Sequence, residues 1–264
     1  MKIAILGGNR FTGKLLVEKL VDDHDVTLFN RSQTGNKHAK IFKFDRDSDK
    51  IDFSEFDCIV DMCLYTKKQF TKIKKTIPKD TRYIFMSTGA VNYEQVYGEY
   101  AKQKRLIENT LSKSDLKYTI VRPSYIDGVG NHLQRISYLV QAIKRGYDIR
   151  IIGEGTNSVN IVWVEDVVKI IIKIINSADN VDGRTYDVCA NESIVINDLI
   201  EIVKKELNIK EHKVSKQMTA CSFPGEDFEM DNKITSKELR VKFSSVKFIT
   251  KLIVKDMKNE NTKS

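Results

Sequence analysis

Proline is scarce, with three in 264 residues, and tryptophan occurs once, at Trp163. So few prolines, with only 13 glycines, argue against a disordered chain. The four cysteines (Cys58, Cys63, Cys189, Cys221) form no CxxC pair and read as reduced, mostly buried thiols of a cytosolic protein. The four histidines (His24, His38, His132, His212) lack ligand spacing, so no metal site is expected. Long apolar runs are missing as well. The most apolar stretch, 161–175, is broken by Glu165, Asp166, Lys169 and Lys173 and is too short to span a membrane. The apolar start lasts four residues before glycines intervene, so no signal peptide is expected and the location read is cytoplasmic. No internal repeat or low-complexity segment is visible. What is there is ordinary for a globular protein: 41% hydrophobic, 30% charged, formal net charge +8. The lysines are scattered among acids, which favours a solvated surface over a nucleic-acid face. The length buries a full core, as one large domain or one and a half.

The most informative stretch is Ile3-Ala4-Ile5-Leu6-Gly7-Gly8-Asn9-Arg10-Phe11-Thr12-Gly13, followed by the helical pattern Leu15, Leu16, Leu20. It reads as strand, tight turn and helix. A helix starting there aims its free N–H groups and the positive end of its dipole at one spot, which suits phosphate. Gly7 supplies the turn's backbone angles. Gly13 removes a Cβ where helix and strand must approach closely. Gly7, Gly8, Asn9, Arg10, Phe11, Thr12 and Gly13 are therefore candidate nucleotide contacts. Glycines serving geometry alone are the plainer alternative.

Further strands are expected at 25–30, 40–44, 56–63, 82–88 and 118–123, with helices at 67–76 and 99–112 between them. Strand alternating with helix predicts an α/β fold with a doubly wound parallel Rossmann sheet. From about Tyr125 the character changes. A helix is expected at 137–145, an extended stretch at 149–153 and a strand at 161–164. A buried helix follows at 166–176, which Asp166 could cap, and an amphipathic one at 197–207 begins on an Asn cap. The expected division is a Rossmann domain over 1–125 with parts of 155–190, interleaved with a smaller substrate lobe built mainly from 126–264. The tail from Lys255 reads as frayed.

The second constellation is Tyr100-Ala101-Lys102-Gln103-Lys104. Tyr100 and Lys104, at i and i+4, share one helix face. An ammonium near a phenol stabilises phenolate and brings the tyrosine toward acid–base work. Thr88, ending the preceding strand, can hydrogen-bond a substrate oxygen. An exposed helical pair is the plain reading of YxxxK alone. The order of strand, Ser-Thr, loop and YxxxK, downstream of a nucleotide turn, changes that.

Several segments together resemble the short-chain dehydrogenase/reductase superfamily, in its extended and atypical branch of NAD-dependent epimerases and dehydratases. They are Gly7 to Gly13; Phe85-Met86-Ser87-Thr88-Gly89-Ala90-Val91; Tyr100 to Lys104 with Glu108; and Val121-Arg122-Pro123-Ser124-Tyr125-Ile126-Asp127-Gly128. Two later ones are Ile152 to Gly155 with Ile161 to Asp166, and Gly183 to Val188. The resemblance implies that Thr88, Tyr100 and Lys104 form a catalytic triad. In it Tyr100 is the acid/base, Lys104 tunes it and holds the cofactor ribose, and Thr88 orients the substrate. It implies a nicotinamide dinucleotide held also by the backbone of Met62, Cys63 and Leu64 at the end of the fourth strand, and by Pro123. It further implies a nucleotide-sugar-like substrate and a homodimer whose interface includes Ile107 and Leu111.

Three departures from the family pattern matter. Arg10 stands where the extended pattern has glycine, and its guanidinium could bind phosphate. Asn30-Arg31 replaces the carboxylate that takes the ribose hydroxyls in NAD binders, so NADP is preferred over NAD, with a solvent-facing Arg31 as the alternative. Tyr97 and Lys102 offer a second assignment one turn away. Asp45 follows the third strand as an adenine contact or a turn aspartate. Cys63 reads as a packing thiol, Arg122 and Arg135 as anion contacts, and Trp163 as a core or lobe contact. The function expected is NAD(P)-dependent epimerase, dehydratase or reductase chemistry by hydride transfer. The alternative is a non-catalytic relative that binds RNA or senses dinucleotide, a reading the Gly-Gly-x-Arg-Phe turn shares with RNA-binding members.

Overall fold

The computed structural model describes residues 1–177, 181–217 and 223–260. The first elements are β1 (Lys2–Leu6), α1 (Phe11–Leu20), β2 (Asp25–Asn30), β3 (Lys40–Lys43), β4 (Cys58–Asp61), α2 (Lys67–Lys74), β5 (Arg82–Met86), α3 (Glu94–Leu111) and β6 (Tyr118–Pro123). Next come β7 (Tyr125–Asp127), α4 (Ile136–Arg145), β8 (Ile149–Ile152), β9 (Ser158–Val159), β10 (Ile161–Trp163), α5 (Val164–Ile175) and β11 (Arg184–Val188). Then follow β12 (Ile194–Val195), α6 (Ile196–Leu207), β13 (Val214–Gln217), α7 (Lys233–Glu238) and α8 (Val246–Glu260). These group into two compact units. One comprises Met1–Pro123, Val167–Val188 and Ile234–Val241, the other Ser124–Asp166, Cys189–Lys233 and Lys242–Ser264.

The first unit holds a seven-stranded sheet in the order β11-β6-β5-β4-β1-β2-β3, with every neighbouring pair parallel. This is the doubly wound sheet expected from the sequence. Ile3, Ala4, Ile5 and Leu6 are all fully buried, because a central parallel strand is covered on both faces and so needs a continuous apolar run. Beneath one face Phe70 of α2 and Ile107 and Leu111 of α3 pack with Tyr83 and Phe85 of β5. A capping box between Thr66 and Gln69 starts α2. Strand order reverses at β1, with β2 on one side and β4 on the other. In such sheets the crevice outside the carboxyl ends at that reversal is where ligands bind.

In the second unit β7 pairs with β10 and β8 with β13, both parallel, while β9 pairs with β12 antiparallel. Helices α4, α6 and α8 pack against one another, and Leu139, Leu199 and Ile253 on them are buried. Asp127 is fully buried and accepts from the N–H groups of Gly128 (2.8 Å) and Ile136 (2.9 Å) and from Asn131 Nδ2 (2.8 Å), which anchors the start of α4. Arg135 stacks over the Tyr125 ring, 4.1 Å from its centroid, and Trp163 meets Phe248 edge to face at 5.3 Å.

Four local expectations are corrected. The tail does not fray at Lys255, since α8 continues to Glu260. Helix α6 begins one residue earlier with Val195 at its cap, and Asn197 donates instead to the Glu154 carbonyl at 3.0 Å. Helix α5 begins at Val164, so Asp166 lies inside it, and its Oδ2 accepts from the Ser244 N–H at 2.7 Å. Ile107 and Leu111 are fully buried in the chain's own core, so their side chains cannot form an interface surface. Cys58 and Cys189 are buried and Cys63 is half-buried; Cys221 lies outside the described residues.

Candidate active site

The glycine turn joins β1 to α1 at the reversal point. Gly7 has φ +95°, a conformation L side chains rarely adopt. A Cβ on Gly13 would lie 2.3 Å from the Gly7 carbonyl oxygen and 3.0 Å from Gly8 Cα, so only glycine lets the helix meet the strand this closely. Phe11, the first residue of α1, is held at φ +38°, an uncommon angle for a bulky residue. Arg10 occupies the N-cap without a side-chain cap, and the first turn carries no acid. A cradle that a Cβ would fill, with an uncapped helix start beside it, fits the pyrophosphate of a dinucleotide.

A relay of amides ties this turn to the loop after β2. The Gly8 N–H donates to Asn30 Oδ1 at 3.1 Å, and Asn30 Nδ2 donates to Asn9 Oδ1 at 2.8 Å. Asn9 Nδ2 then donates to Ser32 Oγ (2.9 Å) and Thr34 Oγ1 (3.3 Å). Asn30 thus stands where a ribose-binding carboxylate would be, yet its amide is committed to the turn. Arg31 and Arg10 are exposed beside it. Asn9→Ala is expected to cost about 1–2 kcal/mol by removing the relay's centre. Asn9→Asp, which keeps the acceptor for Asn30, should cost less. Thermal melting of both variants checks the order.

Tyr100 and Lys104 sit on α3. The helix is interrupted at Gly98 (φ 53°, ψ −133°), which separates Tyr97 from the regular segment bearing Tyr100 and Lys104. Lys104 is buried, and its Nζ donates to the Met86 carbonyl at 2.8 Å. The ammonium lies 4.9 Å from the Phe85 ring centroid, 5.3 Å from Tyr65 and 6.0 Å from Tyr100. Tyr100 itself is 43% exposed. Lys102 faces solvent and pairs with Glu99 at 3.9 Å, which argues against the assignment one turn away. Burial pushes the Lys104 pKa down to about 8, against the raising influence of Asp61. Thr88 is half-buried, and its Oγ1 accepts from the Ala90 N–H at 3.2 Å to start the 3-10 turn Gly89–Asn92. The hydroxyl proton is not used in that bond.

Glu108 fixes the helix from one turn further on. It is buried, accepts from Ser87 Oγ at 2.6 Å, and takes Arg122 in a two-pronged pair at 2.9 and 2.6 Å. Arg122, expected as an anion contact, is therefore occupied by Glu108. Among the other expected contacts, the Leu64 side chain is fully buried in the core, which leaves its backbone for the expected contact. Met62 and Cys63 are half-buried at the end of β4, and Pro123 is buried at the end of β6. Asp45 is exposed and accepts from the Asp47 N–H at 2.9 Å as a turn aspartate. Burial first, and Asp61 second, raise the Cys63 thiol pKa, so it is a packing thiol and not an activated nucleophile.

Sequence reasoning missed Arg46, Asp61 and Tyr83. Asp61 ends β4 fully buried; it accepts from Arg46 Nη2 at 2.7 Å and from the Tyr83 hydroxyl at 2.8 Å. The available signal was a carboxylate closing an otherwise apolar strand.

Residues 79–189 match the NAD dependent epimerase/dehydratase family. The matched stretch holds Thr88, Tyr100, Lys104, Glu108 and Arg122, and the resemblance read from the sequence is thereby shown there. Solved structures of similar fold cover nearly the whole chain. A UDP-glucose 4-epimerase of Thermotoga maritima, solved with UDP-glucose, is 17% identical at TM-score 0.80, over 99% of this chain and 100% of that one. A UDP-glucuronic acid 4-epimerase of Bacillus cereus, solved with UDP-glucuronic acid and NAD, is 16% identical at TM-score 0.82, over 98% and 100%. A UDP-N-acetylglucosamine 4-epimerase of Methanobrevibacter ruminantium M1 is 20% identical at TM-score 0.77, over 98% of each chain. At such identities the likeness establishes the fold. None of the curated proteins matches the chain by sequence. Among the described residues no helix is long and apolar enough to cross a membrane.

Proposed function

We propose that this chain is an NAD(P)-dependent epimerase, dehydratase or reductase acting on a nucleotide-linked sugar. The observation that carries the reading is the pairing of a buried Lys104 ammonium with a solvent-reachable Tyr100 on one helical segment, in the unit that holds the glycine turn. The family match over that segment and the nucleotide sugars in the neighbouring structures support it. A bound nicotinamide would supply the hydride acceptor or donor. The turn from Gly7 to Gly13 would hold the pyrophosphate, and Lys104 the ribose. Tyr100 would move a proton to or from the sugar oxygen while Thr88 orients it. Arg31, next to an Asn30 that stands in the carboxylate's place and is engaged in the turn, favours the phosphorylated dinucleotide.

Titration with NADH and NADPH, followed by nicotinamide fluorescence, tests the reading. Both should bind, NADPH more tightly, and a panel of UDP-sugars with the bound dinucleotide should show epimerisation or dehydration by NMR. A protein that binds neither dinucleotide at millimolar concentration is not this enzyme. Retention of RNA in its place at low salt would favour the non-catalytic alternative.

A further inference from the structure

The buried charges beneath Lys104 have no part in the proton and hydride chemistry, yet they are placed to govern it. Asp61 and Phe85 are register partners across β4 and β5, so their side chains stand on the same face of the sheet. Lys104 Nζ lies over that Phe85 ring at 4.9 Å. Tyr83, two residues before Phe85 and on the same face, donates its hydroxyl to Asp61 at 2.8 Å. From the loop after β3, Arg46 donates Nη2 to the other oxygen of Asp61 at 2.7 Å and to Cys63 Sγ at 3.6 Å. The side chains of this ion pair are 7% and 0% exposed. Two cations and one carboxylate thus share a dry region.

We propose that Asp61 is a positioning residue whose carboxylate keeps Lys104 an ammonium, and that Arg46 and Tyr83 hold that carboxylate in place. The assignment deepens the functional reading and rests on it for the role of Lys104. A lysine taken out of water gives up its proton easily unless an anion stands near. The other groups facing it do not substitute for Asp61. Cys63, after β4, is a thiol whose pKa is raised by burial. Tyr65, before α2, is likewise raised by burial. Tyr83 of β5 is raised well above the usual tyrosine value by burial and then by Asp61. Tyr100 is the phenol to be tuned. Glu108, one turn along α3, acts on Lys104 in the same sense as Asp61 but less strongly, and Arg122 is paired to it at 2.6 Å. Arg46 acts on Lys104 in the opposite sense to Asp61, as a like charge.

The two halves of the ion pair therefore have opposite effects, which a purely structural role would not produce. The test is an NMR titration of protein labelled with carbon-13 at the lysine ε position, with the Lys104 signal identified by its loss in Lys104→Met. Asp61→Asn should lower the Lys104 midpoint by roughly one pH unit or more. Arg46→Gln should raise it. The double variant, which leaves neither charge buried alone, should fall between the wild type and Asp61→Asn, and it serves if the single Asp61 variant does not fold. Unchanged midpoints, or shifts of both single variants in one direction, overturn the proposal. NADH and NADPH affinities over the same pH range separate the two claims. Opposite midpoint shifts in a protein that binds no dinucleotide would support the Asp61 assignment and remove the functional reading.

Discussion

Replacing Tyr100 by phenylalanine is expected to lower turnover of a UDP-sugar substrate by roughly 10²–10⁴-fold, the range for loss of a positioned acid–base group. Dinucleotide affinity should stay within a few-fold of the wild type, because the ring and its place on α3 remain. The expectation follows from three structural facts. The regular helix restarts after Gly98, Tyr100 lies in its first turn with 43% of its surface exposed, and Lys104 sits 6.0 Å from its ring centroid. The ammonium favours phenolate, so the two groups act as a pair. Lys104 is protonated below about pH 8 and loses that charge as pH rises through it, so the tuning should fade on the alkaline side. Initial rates for the Tyr100→Phe variant, with a dinucleotide titration alongside, check the prediction. Undiminished turnover would place the acid–base group elsewhere.

Replacing Glu108 by alanine should cost about 3–5 kcal/mol of stability, the usual consequence of removing one member of a buried pair. Three elements depend on this carboxylate. Ser87 follows β5, Arg122 belongs to β6, and Glu108 is carried by α3. Without it the Arg122 guanidinium and the Ser87 hydroxyl lose their acceptor in a mostly buried place. At roughly 2–4 °C per kcal/mol for a chain of this size, melting should fall by about ten degrees. The pair Glu108→Leu with Arg122→Met should melt closer to the wild type than Glu108→Ala, since no charge is then left alone. Calorimetry of the three proteins decides it. A Glu108→Ala protein as stable as the wild type would mean that Arg122 finds water at no cost.

The parts of this protein that could be read along the chain are those whose physics is local. A continuous apolar run into glycines requires a buried parallel strand and a tight turn, and the structure has both at Ile3 to Gly13. Strand and helix alternation required the parallel sheet. The i, i+4 spacing put Tyr100 and Lys104 on one helical segment. The same locality explains the misses. Ile107 and Leu111 have the spacing of a helix face, but spacing does not say what that face meets, and it meets the core. Helix α8 was obscured because its lysines mask an apolar stripe that buries Ile249 and Ile253.

Electrostatics depended on pairing at a distance. Asn30 could be read as a missing carboxylate; that its amide closes a relay through Gly8 and Asn9 depends on two loops meeting across about twenty residues. Arg122 looked available for a ligand until α3 brought Glu108 against it. Asp61 and Arg46 lie fifteen positions apart and become one ion pair when β4 and the loop after β3 converge. Residue order therefore settles which groups exist and which neighbours in sequence they share. Folding settles which charges lose water together, and that loss of water is what pulls Lys104 below the usual lysine range.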